Sequence, residues 1–287
     1  MRSFLLVVIL TCASVSAQNV LLVDKWLQDP IAFQPFFEDF PKNGLDLQYR
    51  RFHPTLTLSD PERFDVIMIA GGMHPDYPAP THLVPEEAAL LIRFVREGGT
   101  VVFLYADHQT DSYVFNTVLD SLDIDVRIDA SRIEDPLGPK ATIIPATHYL
   151  NLAQVLVSAD TPLGKGIEGP IEGGRMFSFM VGQTEGIEIP AWTAPSSMRR
   201  SEDLNTEQRG REGTYAAQAR SYPVVLTATA GDGHVILLPR YLINLNGYNG
   251  LATDTPITPP YFLEQNRRFE RNLATYIGAI ARGANQP

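Results

Sequence analysis

Cysteine is nearly absent: Cys12 is the single one among 287 residues. It falls in an N-terminal leader, so the chain beyond it has no disulfide, thiolate nucleophile or zinc–sulfur site. Basic charge is also scarce. Lys and Arg number 23 against 33 Asp and Glu, for a net charge of −10. No clustered basic run is present to neutralise phosphates, which argues against nucleic acid as a partner. The phosphate-loop pattern GxxxxGK(S/T), the metalloprotease pattern HExxH, the elbow GxSxG and a helix-opening GxGxxG are all missing. After residue 17 no apolar run approaches the roughly 20 residues that span a bilayer. What is present is a globular balance, 44% hydrophobic and 20% charged. That excludes a disordered chain, and 287 residues are enough for one large α/β domain or two small ones.

Residues Met1–Ala17 (MRSFLLVVILTCASVSA) have the layout of an export signal. Arg2 supplies positive charge, Phe4–Leu10 is the apolar region, and Val15-Ser16-Ala17 places small residues before a cleavage at Gln18. Two other readings use the same residues: a first buried element, or a lipoprotein leader modified at Cys12, for which Thr11 is a poor preceding residue. The expectation is an exported protein, periplasmic or extracellular, whose mature chain has no transmembrane segment. Residues 18–287 then form one domain.

Val20–Asp24 (VLLVD), Leu45–Phe52, Val66–Ala70 (VIMIA) and Thr100–Tyr105 (TVVFLY) read as strands, three of them apolar enough to be buried on both faces. Pro30–Phe40, Pro85–Glu97 and Tyr113–Leu122 read as helices. Pro85 suits a first helical turn, Glu86 and Glu87 suit its positive end, and Gly98-Gly99 stops it. Asp125–Ile128, Gln154–Val157 and Met176–Phe179 are further short strands. Residues 190–222 are charged and poor in apolar runs, which predicts an exposed excursion, either a lid or a plain loop. Tyr222–Ala230 and His234–Pro239 flank Gly231-Asp232-Gly233, a hairpin signal. Leu263–Arg282 closes the chain as a helix. The fold class is α/β: a three-layer αβα sandwich with a mostly parallel, flavodoxin-like sheet and a late β-hairpin.

Phe64–Gly72, the Pro85–Glu97 helix and Thr100–Tyr105 together resemble the centre of a class I glutamine-amidotransferase-like domain. Asn116–Asp125 with Thr161–Ile167 (TPLGKGI), and Tyr222–Leu238 (YPVVLTATAGDGHVILL), are similar to one branch of that superfamily. That branch holds the extracytoplasmic domains of gliding-motility and intraflagellar-transport type proteins. The resemblance implies a cysteine nucleophile in the turn after Thr100–Tyr105. Here the turn reads Ala106-Asp107-His108-Gln109. It also implies a His and a Glu after a late strand, where this chain has Pro239–Asn244 (PRYLIN). Glutamine hydrolysis is therefore not expected.

In an open parallel sheet, ligands bind beyond the carboxyl ends of the strands. Four turns should meet there. Asp24 ends the first strand, as a turn cap or a ligand contact. Gly71 and Gly72 either satisfy the turn or offer N–H groups to a ligand oxygen. His74 lies in a Pro-rich loop with Asp76, Tyr77 and His82, with no recognisable metal spacing. Asp107 and His108 are the candidate acid–base pair, with Gln109 and Asp111 beside them; Asp111 also suits the cap of a helix beginning near Ser112. Arg240, Tyr241 and Asn244 suit an anion or a sugar hydroxyl. No cofactor and no metal ligand set is assigned. The expected partner is a small polar ligand, such as a carbohydrate or cell-wall fragment, or an envelope protein. The alternative is a hydrolase or other sugar-processing enzyme using Asp107 and His108.

Overall fold

The computed structural model describes residues 17–25, 37–51, 55–71, 83–105, 109–138, 140–143, 148–151, 153–173, 176–200, 219–239, 242 and 264–283. Among the described residues, the first part of the chain holds strands β1 (Gln18–Asp24), β2 (Leu45–Arg50), β3 (Val66–Ala70) and β4 (Thr100–Tyr105) and helices α1 (Asp60–Arg63) and α2 (Pro85–Arg96). Helix α3 (Gln109–Ser121) follows, then β5 (Val126–Glu134), β6 (Lys140–Ile143), β7 (His148–Asn151), β8 (Ala153–Val157), β9 (Ile171–Gly173) and β10 (Met176–Val181). Next come β11 (Ile187–Thr193), β12 (Met198–Arg200), β13 (Pro223–Ala230), β14 (Gly233–Pro239) and helix α4 (Glu264–Ala281).

Among the described residues, nine strands form the main sheet in the order β2-β1-β3-β4-β14-β13-β11-β8-β9. The first five are mutually parallel, the flavodoxin-like half, and the remaining pairings are antiparallel. Apolar residues alternate between two cores because successive side chains point to opposite faces. Val20, Leu22, Met68, Leu104 and Ile236 face Phe269, Leu273 and Ile277 of α4. Leu21, Val23, Ile67, Phe103 and Val235 face Leu91 and Val95 of α2 and Phe115 and Leu119 of α3. This gives the expected three layers. A smaller sheet, β10-β5-β12, joins the second core through Val126, Ile128 and Phe179.

The hairpin stands where expected. Gly231 occupies the first turn position with φ +61°, and Ala230 pairs with Gly233. A Cβ on Gly233 would lie 2.1 Å from the Val95 carbonyl, so the hairpin can seat against α2 only with glycine there.

Residues 190–222 are not simply an exposed excursion. Ile187–Thr193 is a strand inside the nine-stranded sheet, Met198–Arg200 is an edge of the smaller one, and Ala191, Thr193, Ser197 and Tyr222 are buried. Pro190 hid this strand, since proline cannot donate to a ladder. Here it sits at a register shift between Glu188 and Ala191, where its carbonyl accepts from Ser158 N at 2.8 Å. Residues 201–218, which carry much of the charge, lie outside the described residues. Most of the Pro30–Phe40 helix lies outside them too; Phe40 is a fully buried core residue preceding a 3₁₀ turn at Pro41–Asn43.

Candidate functional site at the carboxyl edge

Parallel pairing brings the carboxyl ends of β1, β3, β4 and β14 to one edge: Asp24 is opposite Ala70, Ala70 opposite Leu104, and Pro239 opposite Tyr105. The chain leaves β1 toward β2 on one side, while β3 pairs on the other, so β1/β3 is the topological switch point. Asp24 and Lys25 end β1 there, and both are buried.

Adjacent residues diverge, and these two do. The Asp24 carboxylate accepts a 2.7 Å hydrogen bond from the Tyr49 hydroxyl on β2. Lys25 reaches the start of α2, where its Nζ lies 2.5 Å from Glu87 Oε2 and donates to Thr55 Oγ1 at 2.8 Å. The Thr55 hydroxyl in turn donates to Glu87 Oε1. Glu87 also accepts from the Val84 N–H at 3.1 Å, so it caps α2 as well as pairing the lysine. The network continues outward. Arg50 binds Asp60 in bidentate fashion, at 2.6 and 3.0 Å, and donates to the Thr55 carbonyl at 3.1 Å. Burial alone would raise the Asp60 carboxyl, but Arg50 and the Thr57 N–H outweigh it and hold the group below its ordinary range. The ammonium of Lys25 is thus held in an ion pair and positions the strand end; it is not poised as a nucleophile.

At β4, the Tyr105 hydroxyl is shared by the carbonyls of Phe177 and Val224, at 3.0 and 2.9 Å, with Phe179 edge-on to its ring. Burial pushes this phenol well above its usual value. On β9, which also ends on this edge, Glu172 is buried and its carboxyl is raised by desolvation. Its backbone exchanges two bonds with the Asn266 side chain, while its Oε2 has no hydrogen-bond partner among the described residues.

Of the sequence-predicted site residues, Asp24 and Gly71 are described in full. Gly71 changes role: its N–H donates to the Leu104 carbonyl at 3.0 Å, extending the β3–β4 ladder, so it does not serve as an oxyanion donor. Gln109 and Asp111 lie in the first turn of α3, which begins four residues before Tyr113. Asp111 is therefore inside the helix rather than its cap. Gly72, His74, Asp107, His108, Arg240, Tyr241 and Asn244 lie outside the described residues. Among the described residues, no group of three or more His, Cys, Asp or Glu can hold a metal, and no helix is long and apolar enough to cross a membrane. The Lys25–Thr55–Glu87 network was missed. Its one sequence signal was the Glu86-Glu87 pair after Pro85, of which Glu86 is exposed and Glu87 buried.

Solved structures share this fold. The mmIFT52 N-terminal domain superposes with a TM-score of 0.58 at 9% identity, over 90% of this chain and 96% of its own. A ThuA-like protein from Bacteroides uniformis gives 0.46 at 12% identity, covering 91% of each chain. One from Parabacteroides merdae gives 0.48 at 14%, over 93% of this chain and 91% of its own. No family model and no curated protein matches the chain.

Proposed function

We propose that this chain is an exported class I glutamine-amidotransferase-like domain of the gliding-motility and intraflagellar-transport type. In this reading it has lost amidase chemistry and binds a small polar ligand, such as a carbohydrate or cell-wall fragment, at the carboxyl edge of its parallel strands. The observation that carries the reading is the convergence of four strand ends around a switch point. Asp24 is buried there, and residues 106–109, which follow β4 in sequence, include neither Cys nor Ser. The framework that presents a ligand is intact, while the nucleophile the superfamily uses is replaced. Export is supported by the position of Gln18, the first residue of β1: cleavage before it leaves the strand whole.

The test is a thermal-shift screen of the purified chain against mono- and oligosaccharides, cell-wall fragments and divalent metals. A ligand that binds only the folded state raises the melting temperature by mass action. The reading predicts a shift from a saccharide or cell-wall fragment that Asp107→Ala abolishes, without turnover of that ligand. Turnover lost in Asp107→Ala or His108→Ala makes the chain an enzyme instead. No shift from any compound counts against the ligand reading and directs the search to an envelope protein.

A further inference from the structure

A second concave surface lies at the opposite edge of the sheet, where β13 ends and β14 begins, on the face covered by α4. Two rows of side chains from neighbouring strands floor it. Pairing sets Glu188 beside Thr227 and Thr227 beside Ile236; one row further out, Thr229 stands beside His234. Tyr276 of α4 lies over one side of it, and this open cleft has a volume of about 340 Å³, within the range of small-molecule sites. Higher up the same face β13 and β14 present Val225 and Leu238 to the core, while Ile236 stays in the pocket floor. At this end they switch to hydroxyls and an imidazole. Thr227 and Tyr276 are each only 7% exposed while lining the cavity, His234 is half-buried, and Glu188 and Thr229 stand exposed at its rim.

We propose that this pocket binds a small uncharged polyol of monosaccharide size. The chemistry of the lining decides the class. Thr227, Thr229 and Tyr276 carry hydroxyls that both donate and accept, and a neutral imidazole does one of each through its two nitrogens. Burial lowers the His234 pKa, which keeps the ring neutral near pH 7. Glu188 is an acceptor-only carboxylate at the mouth, and its bond from the Thr227 hydroxyl is long, at 3.4 Å. Vicinal hydroxyls, each a donor and an acceptor, complement that set. Among the described residues no Lys or Arg lines the cavity, so phosphates and carboxylates meet no counter-charge from them. The site is independent of the carboxyl edge, from which the length of the strands separates it.

The test uses the full chain and NMR of the His234 ring, assigned with His234→Gln. Probes are D-glucose, N-acetylglucosamine and myo-inositol, with ethylamine and inorganic phosphate as counter-probes. At least one polyol should shift the His234 signals saturably. Glu188→Gln, at an exposed position that leaves the fold intact, and Thr227→Val, an isosteric change, should each weaken that binding roughly tenfold, the loss of about one hydrogen bond. Asp107→Ala should leave it unchanged, which separates this pocket from the carboxyl edge. The proposal fails if no polyol moves His234. It also fails if both variants bind as the parent does, or if ethylamine or phosphate binds in place of the polyols.

Discussion

Lys25→Met is the sharpest perturbation of the carboxyl edge. Methionine keeps the length of the side chain and removes the charge. Lys25 is 1% exposed, and its bonds include those to Glu87 at 2.5 Å and Thr55 at 2.8 Å. Its loss leaves the Glu87 carboxylate, 8% exposed, with only the Thr55 hydroxyl and the Val84 N–H among the described residues. Removing one partner of a buried pair costs about 3–5 kcal/mol, because the remaining charge stays desolvated without its counter-ion. In a chain of this size, that lowers the melting temperature by about 10 °C. The double variant Lys25→Met/Glu87→Leu removes both charges and should recover most of the loss. About 1–2 kcal/mol remains for the Thr55 hydroxyl and the Val84 N–H left without partners. Urea denaturation of the four proteins in the cycle measures the coupling. A single-variant cost under about 1 kcal/mol, or a double variant as unstable as the sum of the two singles, refutes the claim that this ion pair locks the end of β1.

Asp60→Asn should destabilise the chain at pH 7 by about 2 kcal/mol, since the carboxylate is fully buried on Arg50. The depressed pKa gives the parent stability that is present above the ordinary carboxylate value of about 4 and lost as pH falls through the folded value. The gap between parent and variant in urea should therefore close below about pH 4. Glu270 has the opposite sign. Burial raises it to about 7, against the pull of Arg267 and with help from Asp39. The folded state then holds a proton that the unfolded chain has released, so the parent loses stability as pH rises from about 4 to 7. Glu270→Gln should flatten that slope and be the more stable protein at pH 8, by a difference on the order of 2 kcal/mol in urea midpoints. Tyr105→Phe should cost about 1–2 kcal/mol in the same assay, because two buried carbonyls lose their shared donor.

The parallel half of the sheet was legible because its strands are unbroken apolar runs ended by turn residues. VLLVD, VIMIA and TVVFLY needed no tertiary information to be placed in a buried layer. The Pro85 helix was legible for the same reason: its cap, its charges and its stop all agree. The antiparallel half was harder to read. Its β11 contains Pro190 and Glu188, and β9 is only three residues long, so neither has a local pattern of its own. Both are strands because neighbouring strands supply the pairing. Tertiary contact also made the site illegible. Lys25, Thr55 and Glu87 are separated by 30 and 32 residues along the chain, and nothing local marks Thr55 as the group that bridges the other two. The sequence leaves Gly71 open between a turn requirement and an oxyanion donor; its N–H is instead the last rung of the β3–β4 ladder.

The most direct test of the carboxyl-edge reading is amide NMR of the labelled chain, titrated with a saccharide or cell-wall fragment that raises its melting temperature. The account predicts that the largest shifts fall on Asp24, Lys25, Gly71 and the first turn of α3, and that Asp107→Ala removes them. Shifts confined to other surfaces, with those amides unmoved at saturation, contradict it.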